Sequence, residues 1–197
     1  MKVQIALLHV GRMSVQVCQF LMELQKTKEH ELEFVYPSHV PGESNRNKLI
    51  REFLKTDNEY LLMIDDDNPP QNNPLDLLIH NKDIFALPTP VFREDGLCWM
   101  VGKNFGTVEE PDYKAYKEKR EGLMEVDFVG SGCLLVHRRV FEKIKAPFMR
   151  VWDEDGVAVK GQDIAFSKRA TENGFEMWVH WDYVCNHHKQ VNLIGLM

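Results

Sequence analysis

Apolar and polar residues follow one another along this chain in blocks whose lengths suit strands and helices. Residues 3–10 form an apolar run of strand length, and the segment behind Ser14 places apolar residues at three- and four-residue steps, as one face of a helix does. Continuously apolar residues 60–64 predict a central strand covered on both faces. Further strands are predicted over residues 32–36 and 84–87. Strands that alternate with helices predict an α/β fold with a largely parallel sheet.

The pattern changes after residue 89. Residues 92–101 predict a hairpin around Asp95-Gly96, and the highly charged residues 109–120 predict a solvated excursion. Strands return over residues 125–129 and 133–136, and a helix is predicted over residues 162–173, ending at Gly174.

Length and composition change this picture little. With 197 residues, 44% hydrophobic and 27% charged, the chain predicts one globular domain spanning residues 1–197. We expect it to have no transmembrane segment or signal peptide, and hence a cytoplasmic location. The net charge of −6 argues against broad affinity for nucleic acid, so an anionic ligand would need a metal ion or a focused site. The four cysteines form no C-x-x-C pair and are expected to be reduced.

Three consecutive carboxylates directly follow the predicted central strand. Ligands of open α/β sheets bind at the carboxyl ends of the strands, where Asp65, Asp66 and Asp67 would lie. Because side chains alternate along an extended chain, Asp65 and Asp67 should face one way, as a D-x-D pair of oxygen ligands for Mg²⁺ or Mn²⁺. The alternative is that Asp66 and Asp67 only begin a turn before Pro69-Pro70.

Other polar residues each allow a functional and a structural interpretation. Asp163 is either a general base or a carboxylate that stabilises the start of a helix. One of His187 and His188 is a candidate metal ligand, although an isolated histidine is more often solvated. Arg46 and Asn47 open a helix that could receive phosphate, or they merely cap it. The segment that comprises Gly130, Ser131 and Gly132 allows close approach of a ligand, or forms only a bend.

Taken in order, these segments resemble the GT-A fold glycosyltransferases, in particular the compact family 2-like enzymes. The resemblance rests on the segments 44–47, 60–67, 129–135, 161–163 and 185–187. It implies a three-layer α/β/α sandwich and a metal-dependent transfer of sugar from a UDP- or GDP-sugar to a hydroxyl acceptor. The acceptor is left open between a glycan, a protein side chain and a modified nucleic-acid base.

The resemblance also implies roles for individual residues. Asp67 and His187, with His188 as the alternative, would bind Mn²⁺ or Mg²⁺. Asp65 would contact the nucleotide ribose or the metal's coordination sphere, with Asp66 beside it. The remaining donor-site residues would be Arg46, Asn47, Gly130, Ser131 and Gly132. Asp163 matches the catalytic base of inverting members, although Gln162 stands where the family often has glutamate.

Two other functions fit the sequence. A nucleotidyltransferase also places acids at strand ends, but residues 10–13 are a poor version of its basic, glycine-rich loop. The second alternative is a module of a larger assembly that binds a nucleotide sugar without turnover. Replacement of Asp163 distinguishes an enzyme from such a module, since only an enzyme has turnover to lose.

Overall fold

A computed structural model describes residues 1–38, 42–93 and 96–189. Its strands are, in chain order, β1 (Lys2–Leu8), β2 (Glu31–Val35), β3 (Tyr60–Asp65), β4 (Ile84–Ala86), β5 (Pro90–Arg93), β6 (Gly96–Trp99), β7 (Val101–Asn104), β8 (Tyr113–Ala115), β9 (Leu123–Val126), β10 (Phe128–Val129), β11 (Cys133–His137), β12 (Val151–Trp152), β13 (Ala158–Lys160) and β14 (Met177–His180). Its α-helices are α1 (Val15–Leu24), α2 (Gly42–Phe53), α3 (Arg138–Lys143) and α4 (Gln162–Glu172), and a 3₁₀ helix spans Pro74–His80.

The central sheet has seven strands in the order β2-β1-β3-β11-β4-β14-β9. The pairs β1–β2, β1–β3 and β4–β14 are parallel, whereas β3–β11, β11–β4 and β14–β9 are antiparallel. The sheet is therefore mixed, and the prediction of a mostly parallel sheet is wrong. Hydrophobic periodicity reports that a strand is buried but not its direction, so the reversal of β11 leaves no mark in the sequence.

Both faces of this sheet are covered, which gives three layers. One face packs on α1 and the 3₁₀ helix through the apolar cluster that contains Ile5, Leu21 and Leu75. The other packs on α2, α3 and α4 through a second cluster that contains Met63 and Phe53. The three-layer α/β/α sandwich expected from the resemblance is confirmed. No helix among residues 1–38, 42–93 and 96–189 is long and apolar enough to cross a membrane.

Several local predictions are confirmed at the level of single residues. Ser14 caps α1, because its hydroxyl accepts the Val17 N–H at 3.2 Å. Gly174 follows α4 with φ of +79°, a left-handed conformation that favours glycine. The predicted hairpin is formed by β5 and β6, although Asp95 lies outside the described residues. All four cysteines are free thiols, and three of them are buried.

The middle of the chain is more ordered than its charge suggests. β8 lies within residues 109–120, which were expected to be a solvated excursion, and pairs with β7 in a small sheet with β10. Residues 146–160 contain the hairpin β12–β13. This hairpin leads directly into α4 and so fixes where that helix begins.

The reversed strand β11 decides what meets at the functional edge of the sheet. Because β11 is antiparallel to β3, its first residue Cys133 pairs with Ile64 near the carboxyl end of β3. The Gly132 carbonyl accepts the Asp65 N–H at 2.9 Å. Residues 130–132 are thus held against the end of β3.

Candidate functional site

Four chain segments converge at the carboxyl edge of β1 and β3. They are the end of β3 with the turn behind it, residues 130–132, the first turn of α4 and the segment after β14. Asp65, Ser131, Asp163 and His187 come from these four segments, one from each. The sequence-predicted candidates thus lie in one region, although their individual contacts divide them into two groups.

The first group, here the Arg46 cluster, comprises Arg46, Asp65, Ser131, Gln162 and Asp163. Arg46 is only 3% exposed, and its Nη2 donates to Asp65 Oδ1 at 2.5 Å and to the Ser131 carbonyl at 3.2 Å. Its Nη1 donates to Gln162 Oε1 at 3.4 Å. One buried guanidinium from α2 therefore holds the end of β3, the 130–132 segment and α4 together. A planar fork with several donors is suited to this task, whereas the single ammonium of a lysine is not.

Burial dominates the electrostatics of Asp65. It raises the pKa of this carboxyl group to about 6, although the charge and hydrogen bond of Arg46 oppose the change. The nearby carboxylates Asp163 and Asp67 raise the pKa further. Asp65 was predicted as a metal ligand or ribose contact, and the structure places one of its oxygens on Arg46.

Asp163 is the second residue of α4, and its side chain faces the 130–132 segment. The Ser131 hydroxyl donates to Asp163 Oδ1 at 2.5 Å. The N-cap of α4 is Gly161, which offers no side-chain cap. The Asp163 carboxylate lies in the first turn, where the helix dipole favours negative charge.

Asp66 and Asp67 lie in a turn, because β3 ends at Asp65. Asp66 faces the loop after β1, where its Oδ2 lies 3.4 Å from the Val10 N–H, while the Asp66 carbonyl accepts the Ser14 N–H at 2.8 Å. The D-x-D prediction assumed that side chains alternate along an extended strand as far as Asp67, but the strand ends at Asp65. Asp65 and Asp67 contact different partners, and the turn interpretation describes the backbone correctly.

The second group, here the Asp67 cluster, comprises Asp67, His187 and Lys189. His187 Nε2 lies 3.6 Å from Asp67 Oδ2, and Lys189 Nζ donates to the same oxygen at 2.6 Å. Burial acts to raise the pKa of Asp67, but its contacts with His187 and Lys189 outweigh burial and lower it to about 2. His188 is exposed, and its backbone N–H bonds the Asp67 carbonyl at 2.9 Å. Between the two histidines, the structure places His187 against Asp67.

The ring of His187 is oriented by its other nitrogen. His187 Nδ1 lies 2.8 Å from the Pro90 carbonyl, so Nδ1 carries the proton and donates it. The other ring nitrogen, Nε2, therefore faces Asp67 Oδ2. Metal-binding histidines are commonly fixed in this way by a carbonyl or carboxylate.

Asp67 Oδ2 and His187 Nε2 are the two atoms of the Asp67 cluster with the chemistry of metal donors. Among the residues that the structure describes, no group of three His, Cys, Asp or Glu side chains is arranged to hold a metal ion. Asp67 and His187 would still suit an ion that arrives with a diphosphate, since Mg²⁺ sites often combine one or two carboxylates with substrate phosphates and water. An imidazole donor favours Mn²⁺ over Mg²⁺. The donor set therefore fits a cation shared with a nucleotide.

Two clefts open beside this pair of clusters. The larger, of about 490 Å³, lies between the loop after β1 and the segment after β14, with Arg12, Ser14 and His188 in its lining. The smaller, of about 250 Å³, is lined by Gly42, Asn45, Arg46 and Asp65, among others. Val10, Asp66, Asp67 and Lys189 line both. Cavities of several hundred cubic ångströms are typical of small-molecule sites.

Three of the predicted donor-site residues have structural partners here. Asn47 Oδ1 accepts the N–H of buried Phe148 at 3.2 Å. A Cβ atom on Gly130 would lie 2.7 Å from Met100 Cβ, and one on Gly132 would lie 2.6 Å from Asn68 Oδ1. The two glycines therefore permit close approach of the protein's own side chains.

Sequence reasoning missed Lys189 and the structural part played by Gln162. Lys189 lies 122 positions from Asp67 in sequence, so no local pattern connects them. A signal was nevertheless present, because Lys189 follows His187 by two residues and would be carried to the same sheet edge. Gln162 was noted only as a departure from the family pattern, whereas it accepts a hydrogen bond from Arg46.

The sequence matches no protein-family model and no curated protein. Solved structures do match. A197 from STIV is 17% identical, with a TM-score of 0.66 over 96% of this chain and 87% of that one. GalNAc-T7, whose crystal structure holds UDP, GalNAc and Mn²⁺, is 10% identical, with a TM-score of 0.55 over 98% of this chain and 44% of that one. The chain shares its mixed α/β fold with these two structures. At these identities the likeness shows the fold alone, and the reaction has to be argued from the site.

Proposed function

We propose that this protein is a metal-dependent glycosyltransferase that moves a sugar from a UDP- or GDP-sugar to a hydroxyl acceptor with inversion. One observation carries the proposal. Buried Arg46 ties Asp65 and the 130–132 segment, with its Ser131–Asp163 hydrogen bond, to the same sheet edge that holds the Asp67–His187 pair. A candidate base and a candidate cation site thus belong to one site.

The donor would occupy the two clefts that meet at Asp66, Asp67 and Lys189. Asp67 and His187 would hold the divalent cation, with the diphosphate completing its coordination. When bound, that cation would neutralise the negative charge that develops on the departing diphosphate. Arg46 would act indirectly, because it is 3% exposed and its contacts fix the positions of Asp65 and Ser131.

Asp163 would be the general base. The acceptor oxygen attacks the anomeric carbon, the bond from that carbon to the diphosphate oxygen breaks, and the acceptor proton passes to the Asp163 carboxylate. Inversion follows because acceptor and leaving group occupy opposite faces of the sugar. The Ser131 hydroxyl already donates to Oδ1 at 2.5 Å, which orients the carboxylate towards the 130–132 segment. General-base catalysis contributes about 10²- to 10⁴-fold to a rate.

The test is a panel of UDP- and GDP-sugars with Mn²⁺, Mg²⁺ or EDTA, in which thermal stabilisation and release of nucleoside diphosphate are both measured. We expect one nucleotide class to stabilise the protein only with metal, and to be hydrolysed slowly with water as acceptor. Asp163→Asn should lower the rate about 10²- to 10⁴-fold while donor affinity is kept. Asp67→Asn should abolish the metal-dependent stabilisation.

A matched control is Asp155→Asn, which removes an exposed carboxylate between β12 and β13 and should change neither quantity. Donor binding without any release of diphosphate would instead identify a non-catalytic nucleotide-sugar module. Release of pyrophosphate from a nucleoside triphosphate and a sugar phosphate would identify a nucleotidyltransferase. Once a donor is known, glycan, protein and nucleic-acid acceptors can be compared directly.

A further inference from the structure

The Asp67 oxygen that faces His187 already has a cation on it. Lys189 Nζ lies 2.6 Å from Asp67 Oδ2, the same oxygen that faces His187 Nε2 at 3.6 Å. The Lys189 side chain is 60% exposed, whereas that of His187 is 15% exposed. A metal ion on this oxygen would therefore compete with a solvent-accessible ammonium that can move away.

Lys189 has somewhere to move. It lines both clefts, and the larger one also contains Arg12 and His188. A lysine side chain carries a compact charge on a flexible stem, so it can exchange one anionic partner for another at low cost. The diphosphate of a donor held by Asp67 would be such a partner, and it would lie beside these clefts.

We propose that Lys189 couples metal binding to diphosphate binding, an inference that rests on the proposed function. Without ligand, Lys189 neutralises Asp67. When the metal and the nucleotide bind together, Lys189 gives up Asp67 to the metal ion and pairs with the diphosphate. The metal ion alone binds weakly, because it displaces Lys189 and offers that lysine no new partner.

Linkage makes this coupling measurable. The factor by which the nucleotide tightens metal binding equals the factor by which the metal tightens nucleotide binding. A lysine that couples the two ligands has opposite effects on them: its removal favours the metal alone and disfavours the nucleotide. A lysine that only supports the local structure would weaken both when it is removed.

The experiment is titration calorimetry with Mn²⁺ alone, and with UDP and GDP at saturating Mn²⁺, on the wild type and on Lys189→Met. We expect Lys189→Met to bind Mn²⁺ alone about fivefold more tightly, as the loss of one exposed ion pair predicts. It should bind the nucleotide that the wild type prefers about tenfold more weakly, since a charge-assisted contact to phosphate is lost. Lys189→Arg should stay close to the wild type in both measurements.

The matched control is Lys2→Met, which removes a lysine that pairs with Asp57 at 2.5 Å at the opposite end of β1 and should change neither affinity. Equal weakening of both ligands by Lys189→Met, an unchanged Mn²⁺ affinity, or no Mn²⁺ binding by either protein would overturn the inference. If neither UDP nor GDP binds while Lys189→Met still tightens Mn²⁺, the proposed function fails and the competition at Asp67 stands, but its coupling to a diphosphate is overturned.

Discussion

Asp65 and Asp67 are two residues apart and yet lie in opposite electrostatic environments. Burial raises the pKa of Asp65 to about 6 in spite of its contact with Arg46. Burial also acts on Asp67, but His187 and Lys189 lower its pKa to about 2. The Arg46 side chain is 4% exposed, whereas that of Lys189 is 60% exposed. One carboxylate is therefore held by a buried cation and the other by an accessible one.

The contacts of Asp65 are part of the folded core of the sheet edge, whereas the contact of Asp67 with Lys189 can be replaced by a ligand. The Arg46 cluster is held by hydrogen bonds between α2, β3, residues 130–132 and α4, and none of these can exchange without disturbing the sheet edge. In the Asp67 cluster, by contrast, an exposed lysine balances the charge, and a bound cation can replace it. The Arg46 cluster is rigid, and the Asp67 cluster has a charge that can exchange partners. This combination suits a site that must admit a charged donor.

The largest loss of stability is expected when Arg46, the buried cation of the Arg46 cluster, is replaced. Arg46→Met leaves the Asp65 carboxylate, whose side chain is 28% exposed, without its buried cation, and the loss of hydrogen bonds to a charged group costs about 2 to 3 kcal/mol. The cost should be smaller at pH 5 than at pH 8, because protonation relieves the unpaired carboxylate at the lower pH. Urea denaturation at both pH values measures it.

The control for Arg46→Met is Lys26→Met, which breaks an exposed lysine–glutamate pair with Glu23. Exposed pairs contribute about 0 to 1 kcal/mol, so this variant should stay near the wild type. If both variants lost the same small amount of stability, Arg46 would not be the residue that holds the edge together.

The pH dependence of stability distinguishes the two carboxylates. The pKa of Asp65 is raised in the folded state, so folded protein binds more protons and its stability falls as pH rises from about 4 to 6. The pKa of Asp67 is lowered, so its contribution is present above about pH 4 and is lost as pH falls towards 2. The two groups thus act in opposite directions and in different pH ranges.

Asparagine variants measured in EDTA reveal these opposite slopes. From pH 4 to 7, the unfolding free energy of Asp65→Asn should gain about 2 to 3 kcal/mol relative to the wild type, beyond any constant offset. From pH 4.5 down to 3, the deficit of Asp67→Asn should shrink by about 1 kcal/mol, since Asp67 is partly exposed. Parallel pH profiles for the two variants would contradict the assigned environments.

Variants of His187 and His188 test which residues of the Asp67 cluster bind a metal ion. His187→Ala should weaken Mn²⁺ binding at least about tenfold, because it removes a direct donor, whereas His188→Ala should change it less than about twofold. His188 is the matched control, being adjacent, exposed and bonded to Asp67 only through its backbone. Calorimetry with Mn²⁺ and the preferred nucleotide measures both. The reverse ranking would assign the metal to His188.

Sequence reasoning predicted which segments meet at the functional edge of the sheet better than it predicted which side chains contact one another there. Strands such as residues 60–64 and the helix cap at Ser14 are local patterns, and both are confirmed because burial and capping depend on neighbouring residues. The reversal of β11 and the lysine on Asp67 depend on partners far apart in sequence, which no period reports. The strand also ends between Asp65 and Asp67, so the side-chain alternation assumed for this pair does not hold, and their sharing of one ligand stays a prediction.

The smallest effect is expected at Asn47, for which the family resemblance implies one role and the contacts in the structure indicate another. The resemblance places Asn47 beside the nucleotide, whereas Asn47 Oδ1 accepts the Phe148 N–H at 3.2 Å. Phe148 is fully buried and stacks on Phe166, with ring centroids 4.7 Å apart. We therefore expect Asn47→Ala to cost about 1 kcal/mol of stability, the price of one unmade hydrogen bond, and to leave nucleotide affinity within about twofold.

Chemical denaturation and calorimetry on one preparation separate these two interpretations of Asn47. Asn72→Ala is the matched control, since it removes an exposed amide that donates to the Asp182 carbonyl at 2.7 Å and should change stability by less than about 0.5 kcal/mol. A tenfold loss of nucleotide affinity in Asn47→Ala, with stability intact, would return Asn47 to the donor site. It would also mean that the contact with Phe148 gives way when the donor binds.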